Sequence, residues 1–403
     1  MQPPKRFALV AGEKSGDALG AGLIEAIKRR VPDAEFFGIA GEQMAAAGCS
    51  PWYRAEELSV MGLAEVLHHL PRLLRLRRDL IRRLEASRPD VLIGIDSPDF
   101  NVPVELRLRA AGFRTVQYVS PQIWAWRQSR VRTVRAAADL VLCVLPFETD
   151  FYAAHGVNAR FVGHPLADAI PPHVDRNEAR ERLGLATDAP LVAVLPGSRR
   201  PEVTRLAAPF LATAEWVQRA RPGIRFAIAL ANAEMEEVFA RSAGEAALDP
   251  APVRTVGKAR EVMAAADAVL TASGTASLEA LLLKRPMVVA YRVSPLTYAI
   301  ARRLGVARIP HFSLPNLLAG RGIVAEFAQD RVRPDAMGPA LLRCLDGETE
   351  TEDWYHAFDS IHRRLRRGAS DAAAEAVLEL LDRGQGKEEA GTHDARSARR
   401  EQS

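Results

Sequence analysis

Short apolar runs recur along this chain, each closing on a small polar loop before a helix-patterned stretch, and this rhythm restricts it to one class of fold. In the first half Phe7 to Ala11, Phe36 to Ile39, Val91 to Ile95, Thr115 to Val119, Leu140 to Leu145 and Arg160 to Val162 read as strands. The rhythm pauses between His164 and Arg176, where Pro165, Pro171 and Pro172 make a connector. It resumes with Leu191 to Leu195, Phe226 to Leu230, Val253 to Val256, Ala268 to Leu270 and Met287 to Ala290. Strands separated by helices pair in parallel, with the helices covering the sheet. The expected architecture is therefore α/β, with two doubly wound, Rossmann-like domains facing across a cleft. The 403 residues suffice for two domains of ordinary size. The expected division is 1–168, 169–349, terminal helices over 350–383 that could cross back, and a disordered tail over 384–403.

Two loops of the second half point to a ligand. Thr271 to Val289 reads as strand, small polar loop (Ser273-Gly274-Thr275), helix and strand. Free backbone N–H groups and the positive end of the helix dipole meet at such a loop. Gly274 removes the side chain that would keep an anion away. Glu279 lies one turn inside the helix, where it could take ribose hydroxyls beyond a diphosphate. An ordinary turn capped by Ser or Thr accounts for the same residues. The second loop is Pro196-Gly197-Ser198-Arg199-Arg200, after the strand Leu191 to Leu195. Arg199 could meet a phosphate bidentately, or stand as a solvated loop charge. Ligands of open α/β sheets gather at the carboxyl ends of strands, so two such loops predict one nucleotide site.

Composition excludes other classes. Hydrophobic residues make up 48% and charged residues 26%, the balance of a globular domain. No apolar stretch is long enough to span a bilayer. The opening Met-Gln-Pro-Pro-Lys-Arg leads into a strand, so no signal peptide is expected. Cys49, Cys143 and Cys344 form neither a metal spacing nor a disulfide framework, and a cytoplasmic location is expected. A net charge of +4 gives no reason to expect a nucleic-acid partner.

Residues 56–85 interleave Leu63, Val66, Leu67, Leu70, Leu73, Leu74, Leu76 and Leu80 with His68, His69 and arginines at 72, 75, 77, 78, 82 and 83. Pro71 is expected to start a second helix. The stretch fits a domain helix with solvated arginines. It also fits a surface lying on anionic lipid, since it carries more leucine than one core stripe needs.

In the first half, Ile95-Asp96-Ser97-Pro98-Asp99-Phe100-Asn101 follows a strand. A carboxylate there could take a proton from a hydroxyl nucleophile, while Asp99 and Ser97-Pro98 also suit capping and a turn. Tyr118 to Arg127 follows another strand, with Gln122 and Arg127 able to contact a polar substrate and one of Trp124 and Trp126 read as a core anchor. Glu13, Ser15 and Asp17 form the loop after the first strand, which lacks the dinucleotide fingerprint. No cluster has metal-ligand spacing, so a metal-independent reaction with no cofactor is expected.

Gly12 to Asp17, Ile95 to Asn101, Tyr118 to Arg127, Leu195 to Arg199, Thr271 to Glu279 and Ser313-Leu314-Pro315-Asn316, in this order, resemble the lipid-A-disaccharide synthase family. The resemblance runs to about Leu381 and implies a glycosyltransferase of GT-B architecture. It implies transfer of 2,3-diacylglucosamine from UDP-2,3-diacylglucosamine to 2,3-diacylglucosamine 1-phosphate (lipid X), giving a β-1,6-linked disaccharide phosphate and UDP. An α-linked donor and a β-linked product imply one inverting displacement. On this reading Asp96 is the base, with Asp99 the fallback. Arg199, Ser198 and the N–H groups near Ser273, Gly274 and Thr275 hold the leaving diphosphate. Glu279 holds ribose and Asn316 the nucleotide or its diphosphate, while Glu13, Ser15, Asn101 and Gln122 line the acceptor side. The resemblance further implies contact of residues 56–85 with the cytoplasmic face of an inner membrane, and a homodimer with exchanged C-terminal segments. Two rivals remain: a UDP-N-acetylglucosamine-dependent transferase or epimerase, and a peripheral membrane protein that binds a nucleotide sugar without turnover.

Overall fold

The computed structural model describes residues 4–58, 63–126, 128–244, 247–294, 298, 303 and 310–383, without the side chains at 63–69, 125 and 126. The expectations for Arg127 and for the tail 384–403 lie outside the described residues. The chain divides into two compact units, one of Met1–Pro165 with Leu365–Ser403, the other of Leu166–Arg364.

The first unit is built on a seven-stranded parallel sheet. Its strands are β1 (Arg6–Ala11), β2 (Glu35–Ala40), β3 (Cys49–Arg54), β4 (Val91–Ile95), β5 (Arg114–Tyr118), β6 (Leu140–Cys143) and β7 (Ala159–Phe161), in the order β3-β2-β1-β4-β5-β6-β7. Strand β4 is buried along its whole length, as its unbroken Val-Leu-Ile-Gly-Ile run requires of a strand covered on both faces. On one face Ala8, Val10, Ile39 and Leu92 pack with Leu76, Leu80 and Leu84 of the helix Leu63–Ser87 and with Val104 and Leu108 of the helix Pro98–Ala110. The last helix, residues 369–383, belongs to this unit. Ala369, Ala373, Ala374 and Val377 bury its apolar face, and ion pairs join Arg160 to Glu379 and Lys5 to Asp382.

The second unit holds six parallel strands: β8 (Leu191–Leu195), β9 (Arg225–Leu230), β10 (Val253–Val256), β11 (Ala268–Ala272), β12 (Met287–Tyr291) and β13 (Ala325–Ala328), in the order β10-β9-β8-β11-β12-β13. Val192, Val194, Phe226 and Ile228 pack against Leu206, Phe210 and Val217 of the helix Arg200–Ala220. This unit ends within the helix Glu352–Leu365, where Trp354, Phe358 and Ile361 are buried.

Three details differ from the sequence reading. Pro71 does not start a helix; it lies inside the single helix Leu63–Ser87. The leucines at 76, 80 and 84, one per turn on the core face, hold that helix in place against the loss of one backbone bond at the proline. Strands β3 and β13, both at sheet edges, were not foreseen. Cys49–Arg54 carries Pro51 and polar residues, and Ala325–Ala328 is only four residues long with Glu326 inside it, so neither shows the buried-strand pattern.

Candidate active site

A doubly wound sheet opens a crevice at the carboxyl ends of the two neighbouring strands from which the chain departs in opposite directions. That pair is β1 and β4 in the first unit, β8 and β11 in the second. The loops after these four strands are Gly12–Glu13, Asp96–Ser97, Pro196–Arg199 and Ser273–Gly274. Four of the motifs singled out from sequence therefore sit, two by two, at the switch points of the two sheets.

In the first unit the loops after β1 and β4 touch, because a Cβ on Gly12 would stand 2.6 Å from Ser97 Oγ. Glu13 and Ser15 are exposed beside this contact, at the start of the helix Lys14–Arg30. Asp17 is turned inward. Its carboxylate accepts from the backbone N–H groups of Gly41, Gln43 and Met44 and so caps the helix Glu42–Ala46.

The chain leaves β4 through two left-handed residues, Asp96 (φ 53°) and Ser97 (φ 43°), and leaves β5 through a third, Val119 (φ 73°). Each such non-glycine residue costs about 1–3 kcal/mol and persists only where its surroundings hold it. Here two buried amides do so. Asn101 Nδ2 donates to the carbonyls of Val10 (3.2 Å), Ile95 (3.3 Å) and Asp96 (2.8 Å). Gln117 Nε2 donates to those of Asp96 (3.4 Å) and Val119 (3.2 Å). Asn101 is thus buried under the turn, 1% exposed, rather than on the surface beside it. The Asp96 carboxylate is half-buried, and no described residue bonds to it. The Asp99 carboxylate is 82% exposed and pairs with Arg130 at 2.9 Å.

Gln122 is exposed just after the buried Ser120, whose hydroxyl bonds to Tyr152 Oη at 3.1 Å. Trp124 packs edge-on against Phe147 with ring centroids 4.8 Å apart, as an anchor does. Beneath this loop Glu148 is buried and accepts from the Leu145 N–H at 3.1 Å. Burial, only partly offset by these hydrogen bonds, raises its carboxyl to about 7. The folded protein therefore holds a proton there that the unfolded chain releases above its ordinary 4.5. Stability is highest below that value and declines as pH rises toward 7. Replacing Glu148 by Gln removes the decline, so thermal unfolding from pH 5 to 8 should favour the variant at the alkaline end by up to about 3 kcal/mol. Parallel curves for the two proteins contradict this.

In the second unit Gly197 (φ 126°) turns the chain into the helix Arg200–Ala220. Glu202 lies under the turn and accepts from the N–H groups of Ser198 (3.1 Å) and Arg199 (3.3 Å). The Arg199 guanidinium is 68% exposed, 3.8 Å from the same carboxylate. After β11, Ser273 is tied through Oγ to the Phe312 carbonyl at 3.0 Å. Gly274 and Thr275 are exposed, and no described side chain caps the helix Thr275–Leu282. A Cβ on Gly274 would meet nothing, so its glycine serves backbone conformation (φ 155°) and access. Glu279, one turn in, pairs with Arg260 at 3.1 Å; burial raises its carboxyl and Arg260 opposes the rise. Asn316 is buried, and both ends of its amide are engaged: Oδ1 by the N–H groups of Ile323 and Val324 (2.7 and 2.9 Å), Nδ2 by the Val324 carbonyl (3.0 Å). Glu326 on β13 accepts from the Ser313 N–H at 2.8 Å and from that of Phe312, fixing the loop that Ser273 touches.

Glu202, Arg260 and Glu326 were missed from sequence. Glu202 alone left a signal, as the glutamate three residues after an N-cap. Among the described residues no group of His, Cys, Asp and Glu could hold a metal ion.

Comparison with known proteins gives the family and the fold. A family model described as lipid-A-disaccharide synthetase matches residues 7–379. A lipid-A-disaccharide synthase of Pseudomonas paraeruginosa is 54% identical over 379 residues, covering 94% of this chain and 98% of its own. One of Xanthomonas campestris is 50% identical over 377 residues, covering 93% and 86%. Solved structures share the fold at far lower identity. The UDP-GlcNAc 2-epimerase from Neisseria meningitidis bound to UDP-GlcNAc has a TM-score of 0.60 at 12% identity, covering 93% of this chain and 100% of that one. A Staphylococcus aureus MnaA–UDP co-structure reaches 0.63 at 13% (94% and 97%), and the calicheamicin glycosyltransferase CalG4 0.57 at 15% (94% and 98%).

Proposed function

Because the chain belongs to the lipid-A-disaccharide synthetase family, its role is lipid A disaccharide synthesis, and we propose how its two switch points divide that reaction. The second unit takes the donor, UDP-2,3-diacylglucosamine. The first presents the acceptor, 2,3-diacylglucosamine 1-phosphate. The supporting observation is that the loops chosen for their chemistry lie at the switch points of both sheets. Asp96 takes the proton of the acceptor 6-hydroxyl as that oxygen attacks the anomeric carbon from the face opposite UDP. The bond to the diphosphate breaks with inversion, and UDP leaves with the electron pair. Arg199, Ser198 and the uncapped helix end at Ser273–Thr275 meet the developing charge without a metal ion. Glu279 faces ribose; Glu13, Ser15 and Gln122 line the acceptor side. Asn101 and Asn316 shape their loops from beneath. Mixing the protein with both substrates and finding disaccharide and UDP by mass spectrometry tests the reading. UDP release without disaccharide would reject it.

Residues 56–85 carry the proposed contact with the inner face of a membrane. No described helix is long and apolar enough to cross one. Leu76, Leu80 and Leu84 face the core, whereas Leu70 is 42% exposed and Leu73 and Leu74 are half-buried. An open groove of about 1060 Å³ runs along the same helix, lined by Arg72, Arg75, Arg78 and Arg82 among others. Apolar side chains beside arginines suit acyl chains beneath anionic headgroups. Serine at 70, 73 and 74 should release the protein from anionic vesicles without moving its thermal transition. Changing Arg75, Arg77 and Arg78 should weaken binding by about 1 kcal/mol each, more at low salt. A lowered transition for the serine variant, or unaltered vesicle binding, rejects the contact. A homodimer with exchanged C-terminal segments belongs to the same proposal, testable by the mass of the protein in solution.

A further inference from the structure

Behind the Asp96 turn lies a buried polar cluster that the displacement itself does not use. Glu105 stands one turn beyond Asn101 in the helix Pro98–Ala110, 0% exposed, and neither of its carboxyl oxygens has a partner among the described residues. Asn101 Nδ2 is committed to three carbonyls, which fixes the orientation of the amide and leaves Oδ1 buried with no donor among the described residues. Gln117 repeats the pattern, with Nε2 engaged and Oε1 buried with no described donor. Gly94 is the floor of the cluster. It pairs with Gln117 in the ladder, and a Cβ on it would collide with Glu105 Oε1 and stand 2.9 Å from Asn101 Cβ. The missing side chain at 94 is what gives Glu105 and Asn101 room.

Donors and acceptors do not balance if Glu105 is ionised. A carboxylate would add a charge among groups that present only acceptors, in a place without water access. A carboxylic acid supplies the one O–H the cluster lacks. Burial pushes this carboxyl well above the usual range, in the direction of the acid form that the donor count calls for. Asn101, four residues earlier on the same helix face, offers the acceptor.

We propose that Glu105 is a positioning residue for Asp96: its carboxyl O–H donates to Asn101 Oδ1, and the amide so fixed holds the left-handed turn that sets the Asp96 side chain. The proposal rests on reading Asp96 as the base. Without the O–H, Asn101 loses its second anchor, the turn relaxes, and the base moves off line. A misplacement of about 1 Å is enough to cost about 10² in rate.

The test compares Glu105→Gln with Glu105→Leu. The glutamine amide can donate where the acid did, and leucine cannot. Turnover of Glu105→Gln should stay within about threefold of the parent, and that of Glu105→Leu should fall about 10–100-fold. The KM for the UDP-sugar should hold in both, since its groups are on the other unit. Two readouts do not depend on turnover. The infrared difference between the parent and Glu105→Gln at pH 7 should contain a protonated-carboxyl stretch. Amide exchange over residues 96–101 should quicken in Glu105→Leu alone. The proposal is overturned by a folded Glu105→Leu with parental turnover, by Glu105→Gln as slow as Glu105→Leu, or by absence of the acid band. If Glu105→Leu does not fold, the glutamine variant and the band decide. If the parent forms no disaccharide, the reading of Asp96 falls, and the band and exchange still decide whether Glu105 holds Asn101.

Discussion

Asp96→Asn should lower turnover by about 10²–10⁴ while UDP affinity stays within about threefold of the parent, the loss expected when a general base is removed and binding is left alone. The change keeps the shape of the side chain and the backbone contacts of the turn. The Asp96 N–H still donates to the Tyr118 carbonyl at 2.9 Å, and Asn101 still holds the Asp96 carbonyl. Asparagine also tolerates the left-handed conformation found there (φ 53°), so thermal stability should be little altered. What is lost is proton affinity at a half-buried carboxylate to which no described residue bonds. Asp99→Asn supplies the contrast. Its carboxylate is exposed and paired with Arg130, a surface ion pair whose loss is worth at most about 1 kcal/mol. Near-parental turnover of Asp96→Asn, with the loss appearing in Asp99→Asn, would transfer the role of base to Asp99.

The fold was legible because its strands are buried on both faces. Val91 to Ile95 reads the same from sequence and structure, since a parallel strand covered on both faces is apolar along its whole length. The site loops were legible for a related reason: a buried run that stops at Gly, Ser, Asp or Arg marks a strand end, and strand ends are where ligands gather. What each polar side chain does there was not. Asp96 and Asn101 look alike in sequence, yet the Asp96 carboxylate bonds to no described residue while the Asn101 amide is spent on three carbonyls. Asn316 shows the same gap, its amide being saturated by residues 323 and 324. Glu105 was hidden altogether. In Val-Pro-Val-Glu-Leu-Arg-Leu-Arg a glutamate reads as a solvated helix residue, and only Gly94 on the neighbouring strand gives it an interior place. Such roles depend on residues far apart in the chain, which local pattern does not report. Pro71 is the converse case, where a local breaker yields to leucines packed on a distant sheet.

Arg199→Ala should weaken UDP binding and slow turnover together, by about 2–4 kcal/mol in the transition state, the range for removing a charged donor from a developing diphosphate. The geometry explains why this arginine can move to a ligand at little expense. It is 68% exposed and 3.8 Å from Glu202, a pair that solvent screens and that contributes little to the fold. The loop itself does not depend on it. Glu202 holds the Ser198 and Arg199 N–H groups, and Gly197 leaves the space that Glu202 fills, since a Cβ there would stand 2.6 Å from Glu202 Cβ. The alanine variant should therefore unfold at the parental temperature. Arg199→Lys should recover only part of the loss, because an ammonium cannot match two phosphate oxygens with a planar fork. Glu202→Gln should act differently. It keeps an acceptor for the loop but removes a negative charge beside the proposed diphosphate, so UDP affinity should hold or rise. The same reading expects turnover to survive EDTA, since Arg199 and the helix end at Thr275, which no described side chain caps, meet the diphosphate charge that a metal ion would otherwise neutralise. Loss of activity in EDTA that Mg²⁺ restores, or an Arg199→Ala protein with parental UDP affinity and turnover, would move the leaving-group chemistry away from this loop.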